Sequence, residues 1–245
     1  GIQIMKMKTF LPLISLFVFI SAQTSAQDAP GVVRSFACSV NDGYAMADVV
    51  EFARNIEWNE EATPNGLFFR EAFAVAGEFQ SNRDFLISGF FSDFPEMVEK
   101  VNAQRSRAGG RTGASLFGDM ITCGSRSRIQ SVIVANPGSI FDETESTALA
   151  STVCQLNGGT IQDAVARAAA LGQQMNAYAA VDVRFFGGNT IQQGSQVGMR
   201  FVFPNAEEFG TAMEILRNEG PNQLDDGITC NGGSLWVSHR IYLAD

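Results

Sequence analysis

Cys38-Ser39-Val40-Asn41-Asp42-Gly43, "CSVNDG", returns about a hundred residues later as Cys154-Gln155-Leu156-Asn157-Gly158-Gly159, "CQLNGG". The likeness continues beyond each copy. A helix-like segment comes first, "AMADVVEFARNIEW" (45–58) and "TIQDAVARAAALGQQMNA" (160–177). Two strand-like runs come next: "GLFFREAFAVAG" (66–77) and "DFLISGFF" (84–91) in the first half, "AYAAVDVRFFGG" (177–188) and "SQVGMRFVF" (195–203) in the second. Then "DFPEMVEKVNAQ" (93–104) answers "VFPNAEEFGTAMEILR" (202–217). Ile121-Thr122-Cys123 and Ile228-Thr229-Cys230 introduce a last strand in each half, "SRIQSVIV" (127–134) and "SLWVSHRIYL" (234–243). The order reads β-α-β-β-α-β twice, an internal duplication of the split-βαβ or ferredoxin-like pattern. Pro95 and Pro204 fit the first turn of the second helix, where a missing N–H costs nothing. Thr160 and Asp163 form a capping pair opening the first helix of the second half. The polar segment "ANPGSIFDETESTALA" begins with a Pro-Gly turn and has no counterpart, so it reads as a linker. The expected organisation is 1–26 leader, 27–134 first repeat, 135–150 linker and 151–245 second repeat.

The leader is read from the N-terminal residues. "GIQI" precedes the first Met and reads as upstream sequence. Met5-Lys6-Met7-Lys8 is positive, "FLPLISLFVFI" (10–20) is apolar, and "SAQTSAQ" offers small residues for cleavage after Ala26. That is the pattern of a secretory signal peptide. The apolar run is too short to span a bilayer of ~30 Å, and no later stretch reaches the ~18 apolar residues a span needs. A periplasmic or secreted protein without a membrane span is expected.

Net charge is −9, and removal of the two leader lysines makes it −11. Such an acidic chain with no basic run excludes nucleic acid and anionic lipid as natural partners. At 45% hydrophobic residues it is a folded globular protein. Its four cysteines are even in number and come after an export signal, which favours two disulfides. In a β-α-β-β-α-β sheet the strand order is 4-1-3-2, and the end of strand 1 lies beside the start of strand 4. The expected pairs are therefore Cys38–Cys123 and Cys154–Cys230. Each would close a loop of roughly 80 residues and contribute about 4–5 kcal/mol through chain entropy before strain.

Two such units in one chain resemble the dimeric α/β-barrel superfamily, the antibiotic-biosynthesis-monooxygenase and NIPSNAP-type proteins. The resemblance rests on element order over nearly the whole mature chain. It implies an α+β fold, tandem ferredoxin-like βαββαβ repeats forming a pseudo-dimeric barrel, with a cavity between the sheets. It carries over no catalytic residue.

Strand alternation predicts which side chains would line that cavity. Val181, Val183 and Phe185, then Val197, Met199, Phe201 and Phe203, then Leu235, Val237, Ile241 and Leu243 form apolar faces for the helices. The opposite faces carry Tyr178, Asp182 and Arg184; Gln196 and Arg200; Trp236, Ser238, Arg240 and Tyr242. From these, Tyr178, Asp182, Arg184, Arg200, Trp236 and Arg240 are the ligand-binding candidates. Arginines there can hold a carboxylate or other anion while aromatic rings cover an apolar body. The competing reading is an ion-pair and aromatic core holding no ligand.

No catalytic motif is present. His239, the sole histidine, falls on the apolar face and reads as structural rather than as a base or haem ligand. No G-x-S-x-G elbow exists to pair with it. The glycine turns at 41–43 and 157–159 lack the spacing of a phosphate cradle. Glu60-Glu61, Glu207-Glu208 and Asp225-Asp226 read as solvated charge. "RSRAGGR" (105–111), with Arg126 and Arg128 beyond it, reads as a flexible loop with arginines near a helix end. No metal and no cofactor are expected. The expected function is an exported, non-enzymatic binding or interaction protein holding a small anionic or amphipathic ligand, with a protein partner or self-association compatible. The alternatives are a cofactor-independent enzyme of the antibiotic-biosynthesis-monooxygenase type, acting on an aromatic or polyketide-like substrate, and a structural envelope component.

Overall fold

The structure is a computed structural model that describes residues 31–75, 84–107, 116–138, 146–186, 195–221 and 226–244. The leader, residues 108–111 of the arginine-rich loop and Asp225 lie outside them. The element order is β1 (Gly31–Val40), α1 (Met46–Arg54), β2 (Gly66–Ala74), β3 (Phe85–Phe91), α2 (Phe94–Arg107) and β4 (Ile121–Asn136). It continues with β5 (Ser146–Leu156), α3 (Ile161–Gln174), β6 (Tyr178–Phe186), β7 (Gln196–Phe203), α4 (Ala206–Glu219), β8 (Ile228–Cys230) and β9 (Ser234–Leu243). The segment expected as linker contributes the end of β4 and the start of β5.

The strands run β7-β6-β4-β1-β3-β2-β9-β5, and β5 pairs with β7, so the sheet closes on itself. The short β8 extends β9 along β5. The result is a closed, eight-stranded antiparallel barrel with four helices among the described residues. Each half keeps the order 4-1-3-2. The halves are not merely apposed, however: β2 hydrogen-bonds to β9 and β4 to β6 across the seams. Closure removes the open sheet edges that two separate four-stranded sheets would expose.

Helices cover the outside. In α3, Thr160 caps the N–H of Asp163 and the Asp163 carboxylate accepts from the Thr160 N–H, the expected capping box. Ala164, Ala168 and Gly172 form its buried stripe. Small residues let the helix sit close, since a Cβ on Gly172 would stand 2.7 Å from the Ala179 Cβ. Pro95 is the second residue of α2, whereas Pro204 precedes the Asn205 cap of α4. Val181, Val183, Val197, Met199, Phe201 and Phe203 pack beneath α3 and α4 as expected.

A separate apolar cluster fills part of the barrel. Val33, Phe68, Phe90, Val132, Leu149, Ala180, Val202 and Trp236 supply one residue from each of the eight strands, and Tyr178 joins them. Simple alternation holds only while the register does, and register shifts occur in the β1–β4, β2–β9 and β4–β6 pairings. The register between β2 and β9 shifts between Phe68↔Arg240 and Leu67↔Tyr242, leaving Ile241 as an extra residue. This β-bulge turns Tyr242 outward against the first-half core and Leu243 inward, the reverse of the expectation.

Both disulfides form as expected, Cys38–Cys123 and Cys154–Cys230. Each joins directly opposed residues, β1 to β4 and β5 to β8. Cys123 lies inside β4 rather than ahead of it.

Candidate functional site inside the barrel

The inward alternation of β6 places Ala180, Asp182 and Arg184 in the interior, and Arg200 on β7 sits opposite Ala180. Arg200 is 3% exposed. It grips Asp182 at two points, with Arg200 Nε 3.0 Å from Asp182 Oδ2 and Arg200 Nη2 on Oδ1. Burial works against the Arg200 charge, but Asp182 outweighs it and raises the pKa above the ordinary arginine value.

Arg70 enters from β2. It is 9% exposed, and among the described residues no carboxylate pairs with it. Its guanidinium lies 5.3 Å from the centre of the Phe90 ring, and that of Arg200 approaches the same ring at 5.4 Å. Burial, then the neighbouring Arg200 charge, push the Arg70 pKa down to about 9.

A cavity of about 60 Å³ opens among these groups. Among the described residues, Arg70, Arg128, Arg184 and Arg200 reach its wall with one carboxylate, Asp182. Leu86, Leu149 and Trp236 give it an apolar side, and Ser35, Gln130, Ser151 and Gln196 add polar groups. Trp236 Nε1 donates to Ser151 Oγ at 3.1 Å, fixing the indole. A water-sized occupant takes roughly 10–15 Å³, so about 60 Å³ admits about four to six non-hydrogen atoms. A polyketide-sized body does not fit this volume.

Four of the six sequence candidates, Asp182, Arg184, Arg200 and Trp236, therefore meet at one cavity. The other two do not line it. Tyr178 is 2% exposed and packs in the interior apolar cluster. Arg240 stands opposite Phe68, and its carbonyl accepts from Arg54 Nε at 3.0 Å. The sequence reading missed Arg70 and Arg128 as site residues, although Arg128 falls in the strand run 127–134 and lies in β4 opposite Ser35. The available signal was the same alternation in the first half: Phe68, Arg70 and Ala72 share the inner face of β2.

One further reading, that of Asp226, changes, and that of His239 does not. Asp226 is not solvated; Arg167 Nε and Nη2 hold its carboxylate at 2.6 and 2.5 Å. His239 lies outside the barrel beside α1, with Nδ1 2.9 Å from Ser146 Oγ and Nε2 3.2 Å from Glu71 Oε2. It offers no ligand to a group inside.

No family model and no curated protein matches the chain. Solved structures do. A protein of Fusobacterium nucleatum subsp. nucleatum ATCC 25586, named as a candidate monooxygenase, is 10% identical, covers 87% of this chain and 94% of its own, and has a TM-score of 0.54. An anthrone oxidase-like protein is 11% identical over 89% of this chain and 94% of its own, with a TM-score of 0.46. A dye-decolorizing protein from V. cholerae is 9% identical over 88% and 97%, at 0.47.

The fold is that of the dimeric α+β-barrel proteins. This corrects the expectation of a non-enzymatic binding or interaction protein, because the Fusobacterium protein sharing this barrel is of enzyme type. The alternative, an enzyme of the antibiotic-biosynthesis-monooxygenase type, agrees better with that likeness.

Proposed function

We propose that the chain is an oxygen-using enzyme of the cofactor-independent monooxygenase type, acting inside the barrel on a small anionic substrate. One observation carries this reading: a closed barrel brings four arginines and a single carboxylate to one buried cavity. Fixed guanidinium groups in a water-poor site stabilise negative charge far better than water does, because they need no reorganisation. They hold the anion left when an enolisable substrate loses a proton. Dioxygen is then the oxidant: two hydrogens on the enolisable carbon are replaced by C=O, one oxygen atom enters the product, and the other leaves as water with the two hydrogens, the enolisation proton among them. The protein's own part is to bind, orient and neutralise. The small volume favours a short enolisable acid over a polyketide.

The leader-like N-terminus and the two disulfides support export to the periplasm or exterior. The shared 4-1-3-2 order of the halves supports descent from one doubled βαββαβ unit. Such a doubling lets one chain complete the barrel, while leaving association between chains open to the outer helices.

Oxygen uptake with pyruvate and acetoacetate, followed with an electrode and by ¹⁸O₂ incorporation, tests the reading. Turnover that disappears in Arg200→Ala supports it. Absence of uptake with enolisable acids and phenols alike by the folded, oxidised protein sinks it.

A further inference from the structure

Arg70, Ser238 and Thr147 are register partners in a row across β2, β9 and β5. All three face the barrel interior, as their neighbours Phe68, Trp236 and Leu149 do. They are 9%, 2% and 8% exposed. Each buries a polar atom with no hydrogen-bond partner: Arg70 Nε, Ser238 Oγ and Thr147 Oγ1. A buried donor without an acceptor costs about 1–3 kcal/mol, and more when it is charged. Of the three, Arg70 alone reaches the wall of the cavity, so a group bound there can supply an acceptor that its guanidinium lacks.

We infer that Arg70 is the seat for the carboxylate of a short monocarboxylic acid. This deepens the proposed reading and rests on it for the place of the chemistry. Arg70 is the choice among the interior arginines because Arg200 already has its charge balanced by Asp182, while Arg128 and Arg184 have interactions of their own. A guanidinium presents parallel N–H groups whose spacing matches two carboxylate oxygens. The wall next to Arg70 is apolar, with Leu86, Leu149 and Trp236, which suits an organic body rather than a bare inorganic oxyanion. The volume of about 60 Å³ limits that body to a few carbon atoms.

The test is calorimetric titration of the full oxidised protein with acetate, pyruvate, neutral acetamide and inorganic phosphate, with indole fluorescence as a second readout. Acetate and pyruvate should bind, and acetamide should not. Arg70→Met, which keeps the length but removes charge and donors, should weaken binding at least tenfold. Ser238→Ala, whose hydroxyl lies off the cavity wall, should leave it within about twofold. Should Arg70→Met fail to fold, Arg70→Lys keeps the charge but loses the paired donors, and should still bind acetate at least threefold more weakly. Acetate failing to bind the folded wild type, binding unchanged in the folded Arg70 variant, or phosphate binding more tightly than pyruvate would overturn the seat. Oxygen uptake separates this from the enzyme reading. Arg70-dependent binding without uptake leaves the seat and removes the monooxygenase; uptake without Arg70-dependent binding does the opposite.

Discussion

Arg200 and Asp182 meet inside the barrel from adjacent strands, β7 and β6, in a two-point ion pair whose guanidinium side chain is 4% exposed. Replacing both partners with apolar residues can be nearly neutral, but removing one leaves a buried charge uncompensated. Asp182→Asn should therefore lower unfolding free energy by about 3–5 kcal/mol, measured by urea denaturation. A loss below about 1 kcal/mol would mean that water or a neighbour screens Arg200.

Arg70 gives the site a pH signature. With its pKa at about 9 in the folded protein, it stays charged through neutral pH and loses its proton as pH rises past that value. Acetate affinity should be flat from pH 6 to 8 and fall about tenfold by pH 10. Arg200 is the neighbouring cation, while Asp182 and Tyr178 favour the Arg70 charge. A folded pKa below the unfolded one means the folded state sheds its proton first. The Arg70 contribution to stability is thus least favourable below pH 9 and improves between there and the ordinary arginine value. Affinity unchanged between pH 7 and 10 in the folded protein would exclude Arg70 as the titrating cation.

The disulfides tie β1 to β4 in the first half and β5 to β8 in the second. Peptide mapping without reduction should recover only Cys38–Cys123 and Cys154–Cys230. Replacing either pair with serine should cost about 2–5 kcal/mol, since each bridge spans a separation of 85 or 76 residues. Crossed pairings in the mapping would contradict the strand order itself.

Gly172 is where α3 comes down onto β6. Gly172→Ala should destabilise by about 1–3 kcal/mol through overpacking against Ala179. Thr160→Ala, at the opposite end of the same helix, should cost about 1 kcal/mol through loss of its cap. Thermal denaturation of the two variants checks both. A neutral Gly172→Ala would show that α3 can move outward at little cost.

Features legible in the chain alone were local or periodic. The repeated Cys-x-x-Asn turns, alternating strands and capping pair are written in short windows, so element order and the facing of β6 and β7 could be read directly. Element order in turn implied the 4-1-3-2 sheet and hence both cysteine pairs. Long-range contacts set the rest. Closure through β2–β9 and β4–β6 depends on hydrogen bonds between residues about 40 to 180 positions apart, which no short window contains. That closure brings Arg70 from the first half beside Arg200 and Asp182 from the second. The bulge at Ile241 shows the limit most plainly: alternation fixes a facing only while the register holds, and one extra residue against β2 exchanged the faces of Tyr242 and Leu243. Whether the polar inner face became a solid ion-pair core or a cavity depended on how eight strands of side chains filled a fixed circumference. That is a property of the closed barrel, not of any strand in it.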